Sequence, residues 1–133
     1  AIGAMSDVLY VCAPTPLQHG VAAGIRELGP SFYRELAAEH QQKRDRFCHA
    51  LTKAGLPPAV PQGAYYVLAD VSRLPGKTSR ERALYLLDKT GVAGVPGEAF
   101  FDGPEGGRFM RFCMAKTDAD LERASQAIER FTS

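Results

Sequence analysis

Residues 109–114, Phe-Met-Arg-Phe-Cys-Met, are apolar except for one arginine. A short run this rich in aromatic and other apolar residues predicts a largely buried strand, which we place at residues 108–115. Alternate residues of a strand point to opposite faces, so Arg111 shares a face with Phe109 and Cys113. A guanidinium there is costly unless it is paired, and its planar fork suits a carboxylate. The partner is either an acidic residue of the same chain or a bound anion, and the strand alone does not distinguish them.

Two other strands are predicted upstream of this one. Residues 63–71, Gly-Ala-Tyr-Tyr-Val-Leu-Ala-Asp-Val, are rich in β-formers and mostly apolar, which suits a strand covered on both faces or nearly so. A short strand is predicted at Val92–Val95, and the glycine-rich residues 102–107 predict a loop that leads into the strand at 108–115.

Four helices are predicted from the spacing of apolar residues and from start and stop signals. The first helix is capped by Thr15 and ends near Gly29, and the second is capped by Ser31 and ends at Gly55. The third begins with a capping box formed by Thr78 and Glu81 and stops at Gly91. The fourth is capped by Thr117. The order α-α-β-α-β-β-α predicts an α+β fold. It is a two-layer α/β sandwich, in which helices pack on a small, mostly antiparallel or mixed sheet.

The composition argues against several classes of function. The formal net charge is +1, and nucleic-acid binding needs a clustered basic surface. The basic residues Lys43, Arg44 and Arg46 are interpreted as a solvated helix face, because acids flank them. No stretch is apolar enough to span a membrane, and no signal peptide is recognisable. The three cysteines and three histidines are scattered, which predicts no metal site, cysteines that fill the core and a cytoplasmic location.

Four stretches carry a resemblance to a known family. They are Cys-Ala-Pro-Thr-Pro-Leu-Gln at 12–18, Pro-Gln-Gly-Ala-Tyr-Tyr-Val-Leu-Ala-Asp at 61–70, Gly-Val-Ala-Gly-Val-Pro-Gly-Glu-Ala-Phe at 91–100 and Phe-Met-Arg-Phe-Cys-Met-Ala-Lys at 109–116. In their order and spacing they resemble the C-terminal part of class I/II (fold type I) aminotransferases, such as the aspartate and kynurenine aminotransferases. The resemblance implies the small domain of such an enzyme at residues 21–133. It implies a leader and a remnant of the large-domain and interface segment at residues 1–20.

The resemblance also implies a chemistry. The family transfers an amino group from an amino acid to a 2-oxo acid, using pyridoxal phosphate held by a lysine as a Schiff base. Arg111 occupies the position of the arginine that binds the substrate α-carboxylate. Tyr66 is the candidate that approaches the substrate side chain, with core packing as its alternative, and Tyr65 is expected on the opposite face of the strand. The lysine segment has no counterpart here. The resemblance therefore implies no catalytic or cofactor-binding residue in this chain, and an inactive fragment of a homodimeric parent enzyme.

Other functions fit the same residues. A pyridoxal-phosphate-dependent C–S lyase shares the fold, and an aminotransferase-like domain can sense a ligand in a transcription regulator. A free-standing α/β binding or dimerisation module is the remaining alternative. In the family, the portion that separates these functions lies upstream of the matched stretches, so the alternatives stay open at this point.

Overall fold

Residues 109–113 form an inner strand of a four-stranded sheet in the computed structural model, which describes residues 2–10 and 12–131. The strands are β1 (Pro58–Ala59), β2 (Tyr66–Asp70), β3 (Val95–Pro96) and β4 (Phe109–Cys113). Their order in the sheet is β1-β2-β4-β3, and every neighbouring pair is antiparallel. The predicted α+β class and the mostly antiparallel sheet are therefore confirmed.

Two details of the sheet differ from the prediction. Strand β1 has two residues and was not predicted, and β3 begins at Val95, the last residue of the range predicted for it. Strands this short carry no periodic pattern of their own, and their pairing with a neighbouring strand defines them. The segment predicted as a loop at residues 102–107 contains a short 3₁₀ helix, Pro104–Arg108, and another one follows β3 at Gly97–Ala99.

Five α-helices are present among the described residues. They are α1 (Ile2–Leu9), α2 (Thr15–Glu27), α3 (Pro30–Lys53), α4 (Ser79–Thr90) and α5 (Asp118–Arg130). Helix α1 was not predicted. The caps predicted at Thr15 and Ser31 are wrong, because α2 and α3 already include these residues.

The other predicted helix ends are confirmed by their hydrogen bonds. The Thr78 hydroxyl accepts a hydrogen bond from the backbone N–H of Glu81 at 3.1 Å. Gly91 ends α4 in the left-handed conformation, with φ of 71°. The Thr117 hydroxyl accepts from the backbone N–H of Asp120, also at 3.1 Å. These local contacts satisfy donors and carbonyls that a helix end leaves unpaired.

The described residues fall into two compact units, 1–37 and 38–133. In the first, α2 buries none of its residues, and many large apolar side chains of α1 and α2 are exposed. The largest of them are Ile2, Met5, Val8, Leu9, Leu17, Val21 and Ile25. The domain division proposed from the sequence, at residues 20 and 21, stays a prediction, since compactness does not report how a longer chain divides.

The second unit has one hydrophobic core between its helices and one face of the sheet. Val67 and Ala69 of β2 and Met110 and Phe112 of β4 point into it. The helices contribute the other residues, among them Phe47 and Leu51 of α3, Leu86 of α4, and Leu121 and Ile128 of α5. Because side chains alternate along each strand, this burial places the remaining residues of β2 and β4 on the opposite face.

Two predictions about individual side chains are wrong. Lys43 does not lie on a solvated face: it is 8% exposed, and its ammonium group pairs with Glu39 one helical turn away. A lysine can bury its long apolar stem in this way while its charged end stays near the surface. Cys12 is exposed and not part of the core, whereas Cys48 is buried and Cys113 is half-buried. Burial raises the pKa of the Cys48 thiol above its usual value.

Candidate functional site

The face of the sheet that the core does not cover carries the arginine singled out in the sequence. The antiparallel register of β2 and β4 sets Leu68 opposite Arg111 and Tyr66 opposite Cys113. On the other side of β4, Val95 of β3 is also paired with Arg111. Arg111 therefore lies near the middle of this face, between an inner and an edge strand, and it is half-buried.

Arg111 contacts two aromatic rings and, within the part of the chain that the structure describes, no acid. Its Cζ atom lies 4.1 Å from the ring centroid of Tyr66 and 4.2 Å from that of Phe100. Its Nε atom is buried and has no hydrogen-bond partner. Within residues 2–10 and 12–131, no carboxylate forms an ion pair with it. The internal arginine–acid pair, one of the two alternatives left by the sequence, is therefore absent from the described part of the chain.

The structure places the two tyrosines differently from the expectation. Strand β2 begins at Tyr66, so the alternation of a strand does not apply to Tyr65. The two rings pack against each other, with centroids 4.2 Å apart, and do not point to opposite faces. The neighbouring Tyr66 side chain is the main reason that the pKa of Tyr65 is raised above its usual value. Tyr66 itself lies on the Arg111 face, in contact with the guanidinium.

Sequence reasoning missed the contact between Phe100 and Arg111. It ends the stretch at residues 91–100 that carries the family resemblance, but no chemistry was assigned to it. Its ring reaches Arg111 because β3 pairs with β4 and the short 3₁₀ helix Gly97–Ala99 then turns the chain. Only the register of these two strands could have revealed this contact, because ten residues separate Phe100 from Arg111 along the chain.

A groove of about 820 Å³ adjoins this face along the β3 side of β4. Its apolar lining includes Val92, Phe112 and Leu121, and Arg111 and Tyr66 lie at one part of its wall. A volume of several hundred Å³ or more is typical of small-molecule sites. The groove is therefore large enough for an amino acid and part of a second group.

The lysines decide whether these residues could hold pyridoxal phosphate as a Schiff base. Lys43, Lys53 and Lys89 pair with the acids Glu39, Glu129 and Asp88, respectively. Lys77 is exposed and does not line the groove. Lys116 lines it but is exposed. A Schiff-base lysine is activated by desolvation or by a neighbouring cation. Lys43 is buried, but its hydrogen bond with Glu39 raises its pKa instead, and the other four lysines are exposed. The described residues thus fit a carboxylate-binding half of a site and do not fit the cofactor.

In the part of the chain that the structure describes, no group of three or more His, Cys, Asp and Glu side chains could hold a metal ion. Among the same residues, no helix has both the length and the apolar character needed to cross a membrane.

Known proteins match this chain over most of its length. The family model "Aminotransferase class I and II" matches residues 1–128. The kynurenine–oxoglutarate transaminase of Dictyostelium discoideum is 32% identical over 92% of this chain and 34% of its own length. The LL-diaminopimelate aminotransferase of Nitratidesulfovibrio vulgaris is 38% identical over 77% of this chain and 25% of its own. The chain thus spans about a third or less of the curated relatives it matches.

Solved structures agree with this match. The N-succinyldiaminopimelate aminotransferase of Mycobacterium tuberculosis superposes with a TM-score of 0.80 at 27% identity, over 94% of this chain and 33% of its own. An Escherichia coli protein with a methionine aminotransferase function has a TM-score of 0.77 at 29% identity, over 93% of this chain and 32% of its own. Sequence and structure comparisons both cover the sheet that carries Arg111. The chain belongs to the class I and II aminotransferase family.

Proposed function

We propose that the protein containing this chain is a pyridoxal-phosphate-dependent aminotransferase, which transfers an amino group from an amino acid to a 2-oxo acid. In this proposal, the chain supplies the C-terminal small domain, and Arg111 binds the α-carboxylate of the substrate. The observation that carries the proposal is the buried, unpartnered Nε of Arg111 on the open face of the sheet. A buried donor without a partner costs free energy, and a carboxylate removes this cost.

The geometry of a guanidinium explains why a carboxylate is the preferred ligand. All five N–H donors lie in the plane of the group and form a fork that matches two carboxylate oxygens. Tyr66 and Phe100 contact Arg111 through their ring faces, so they do not use these donors. No acid among the described residues forms an ion pair with Arg111, and Asp120, which also lines the groove, pairs with Arg123. A substrate carboxylate can therefore form two parallel, charge-assisted hydrogen bonds with Arg111.

The cofactor belongs to another part of the proposed enzyme. Bound pyridoxal phosphate supplies the electron sink for amino-group transfer. This chain orients the substrate by its carboxylate, which positions the amino group relative to a cofactor held elsewhere. We therefore expect the chain alone to be inactive. Adding pyridoxal phosphate to it, reducing with borohydride and mapping the peptides should give no adduct at a single lysine. A unique adduct with amino-donor turnover would refute this part of the proposal.

The role of Arg111 is tested in the whole protein by Arg111→Met. Loss of a pair of charged hydrogen bonds should remove about 2–4 kcal/mol of transition-state stabilisation, which lowers kcat/KM roughly thirtyfold to a thousandfold. Arg80→Met is the matched control, because Arg80 is exposed on α4 and does not line the groove. An amine that resembles the substrate but lacks the α-carboxylate should be used equally by the wild type and Arg111→Met.

The result can contradict the proposal in two ways. Unchanged kinetics in Arg111→Met would mean that Arg111 does not bind the substrate. An equal loss with the amine that lacks a carboxylate would mean that the substitution damages the site in general. Product analysis in the same assay separates the C–S lyase alternative. A C–S lyase releases a thiol, ammonia and a 2-oxo acid without an amino acceptor, whereas an aminotransferase needs a 2-oxo acid as acceptor and releases no ammonia.

We also propose that the whole protein is a cytoplasmic homodimer. The exposed apolar side chains of α1 and α2 support an association, because an extended apolar surface is unfavourable in water. The three cysteines of the sequence form no disulfide within the described residues, as expected in a reducing compartment. Light scattering of the whole protein at micromolar concentration tests the dimer, and a monomer mass would contradict it.

A further inference from the structure

We propose that Phe100 is a positioning residue for Arg111, and that Phe100 and Tyr66 together hold its guanidinium in one orientation. The inference rests on the proposed function, since its purpose is the binding of a substrate carboxylate by Arg111. It assigns a function to Phe100, for which no function was predicted. It also assigns Tyr66 to the arginine and not to the substrate side chain.

The two rings reach the guanidinium from opposite sides of β4. Tyr66 belongs to β2 on one side, and Phe100 follows β3 on the other. Their ring centroids are 4.1 Å and 4.2 Å from Cζ of Arg111, within the distance at which a cation is attracted to a ring face. Two such contacts restrict the guanidinium far more than one ring does, because they act from both flanking strands.

This arrangement orders the arginine without occupying its donors. A long side chain loses conformational freedom when it binds a ligand, and this loss weakens binding. Two ring contacts remove much of the freedom before the substrate arrives. An acidic partner would also fix the side chain, but it would compete with the substrate for the N–H groups. Aromatic rings avoid this competition, which is consistent with the unpartnered Nε.

Phe100 is itself held by the backbone around it. Its N–H donates to the carbonyl of Gly97 at 2.8 Å, which closes the turn after β3. The turn is tied to α4 by a reciprocal pair: the N–H of Ser79 donates to the Glu98 carboxylate at 3.2 Å, and the N–H of Glu98 donates to the Ser79 hydroxyl at 3.3 Å. Ser79 is fully buried. The ring therefore projects from an anchored turn, although the ring itself is 44% exposed.

The kinetic test compares neighbouring phenylalanines in the whole protein. Phe100→Leu removes the ring contact and should lower kcat/KM for the amino acid by roughly threefold to thirtyfold, mainly through KM. Phe100→Tyr keeps a ring and should therefore retain most of the wild-type kcat/KM. Phe101→Leu is the matched control, because the Phe101 ring stacks on Phe109, 5.7 Å away, and not on Arg111. It should leave kcat/KM near the wild-type value.

A double-mutant cycle separates positioning from general damage. If Phe100 acts through Arg111, then Phe100→Leu should have little further effect in the Arg111→Met background. If Phe100→Leu lowers kcat/KM equally in the wild type and in Arg111→Met, the inference is overturned. If Arg111→Met lowers kcat/KM but Phe100→Leu does not, the inference fails and the proposed function stands. If Arg111→Met has no effect on kcat/KM, the proposed role of Arg111 fails, and the inference about Phe100 fails with it.

An NMR measurement on this chain tests the geometry without any turnover. Ring faces this close to the guanidinium should shift the δ-methylene protons of Arg111 upfield through ring currents. Phe100→Leu should reduce this shift, whereas Phe101→Leu should leave it in place. An unchanged Arg111 signal in Phe100→Leu would overturn the inference, whatever the enzyme assay shows.

Discussion

Gly97→Ala is the substitution for which the structure makes its sharpest stability prediction. Gly97 is buried in the short 3₁₀ helix after β3, where two backbone segments pass close together. A methyl group at this position would overlap the carbonyl oxygen of Gly106. It would also lie 2.6 Å from the carbonyl oxygen of Phe109 and 3.0 Å from the Cβ atom of Phe109. All of these atoms are backbone or directly attached to it, so no side-chain rotation relieves the overlap.

The size of the effect follows from two opposing terms. Inserting a methyl group into a closely packed site costs about 1–3 kcal/mol, because the backbone has to shift. Replacing glycine with alanine also restricts the unfolded chain, which stabilises the protein by about 0.4–1 kcal/mol. The first term is larger, so Gly97→Ala should lower the free energy of unfolding by about 1–2 kcal/mol. With a typical dependence of the free energy of unfolding on urea concentration, the urea midpoint of unfolding should fall by roughly 0.5–1.5 M.

Urea unfolding of the chain, followed by circular dichroism at 222 nm, measures this midpoint. Gly63→Ala is the matched control. Its added methyl group would meet no atom within 4 Å, and Gly63 does not have a positive φ angle. Gly63→Ala should therefore leave the midpoint unchanged or raise it slightly. Equal midpoints for the two variants would refute the argument that the close approach of backbone at Gly97 limits the residue to glycine.

Two further predictions concern the start of α5 and the ion pair between Asp70 and Arg108. Thr117→Ala should lower the free energy of unfolding by about 1 kcal/mol, because the N–H of Asp120 loses its acceptor at the start of α5; an unchanged urea midpoint would contradict the cap. Burial alone would raise the pKa of Asp70, but hydrogen bonds from Ser72 and the ion pair with Arg108 outweigh it and hold the pKa below its usual 3.8. A lowered pKa in the folded state stabilises the protein above the unfolded value, and this contribution is lost as the pH falls through the folded value. Stability measured between about pH 6 and pH 2 should therefore fall less steeply in Asp70→Asn than in the wild type, and parallel curves would contradict the assignment.

The sequence predicted those elements whose signals are local. The helices that start after Thr78 and Thr117 are confirmed because each cap needs contacts only within its own first turn. The stop at Gly91 is equally local, since it depends on the conformation of one residue. The strand at Phe109–Cys113 is confirmed because its apolar run has no competing helical period.

The elements that were missed depend on the rest of the fold. Strand β1, Pro58–Ala59, exists through its register with Ala69 and Leu68 of β2, which no local pattern encodes. Ser31 has the chemistry of a cap, but Pro30 already begins the helix, and proline is well suited to a first turn. Helix α1 lacks acidic residues in its first turn and basic residues in its last, so it gave no charge signal at either end.

The candidate site was predictable in part for the same reason. An arginine alone in an apolar strand stands out in the sequence, and Arg111 was identified in this way. Its aromatic neighbours were harder, because Phe100 reaches it from another strand and Tyr66 had a competing role as a substrate contact. The expected opposite orientation of Tyr65 failed because the strand starts at Tyr66, three residues later than predicted.

In the proposed function, strand β4 contributes to stability through one face and to binding through the other, and this division makes the two separable by experiment. Met110 and Phe112 are buried against the helices, and Phe112 packs edge-to-face on Phe47 with centroids 5.7 Å apart. Arg111, between them in sequence, points the other way and has no partner among the described residues that its removal would leave unpaired. A substitution of Phe112 should therefore reduce stability by the cost of a core cavity. A substitution of Arg111 loses the ring contacts with Tyr66 and Phe100 but also removes an unpaired buried donor, so its main cost should fall on substrate binding.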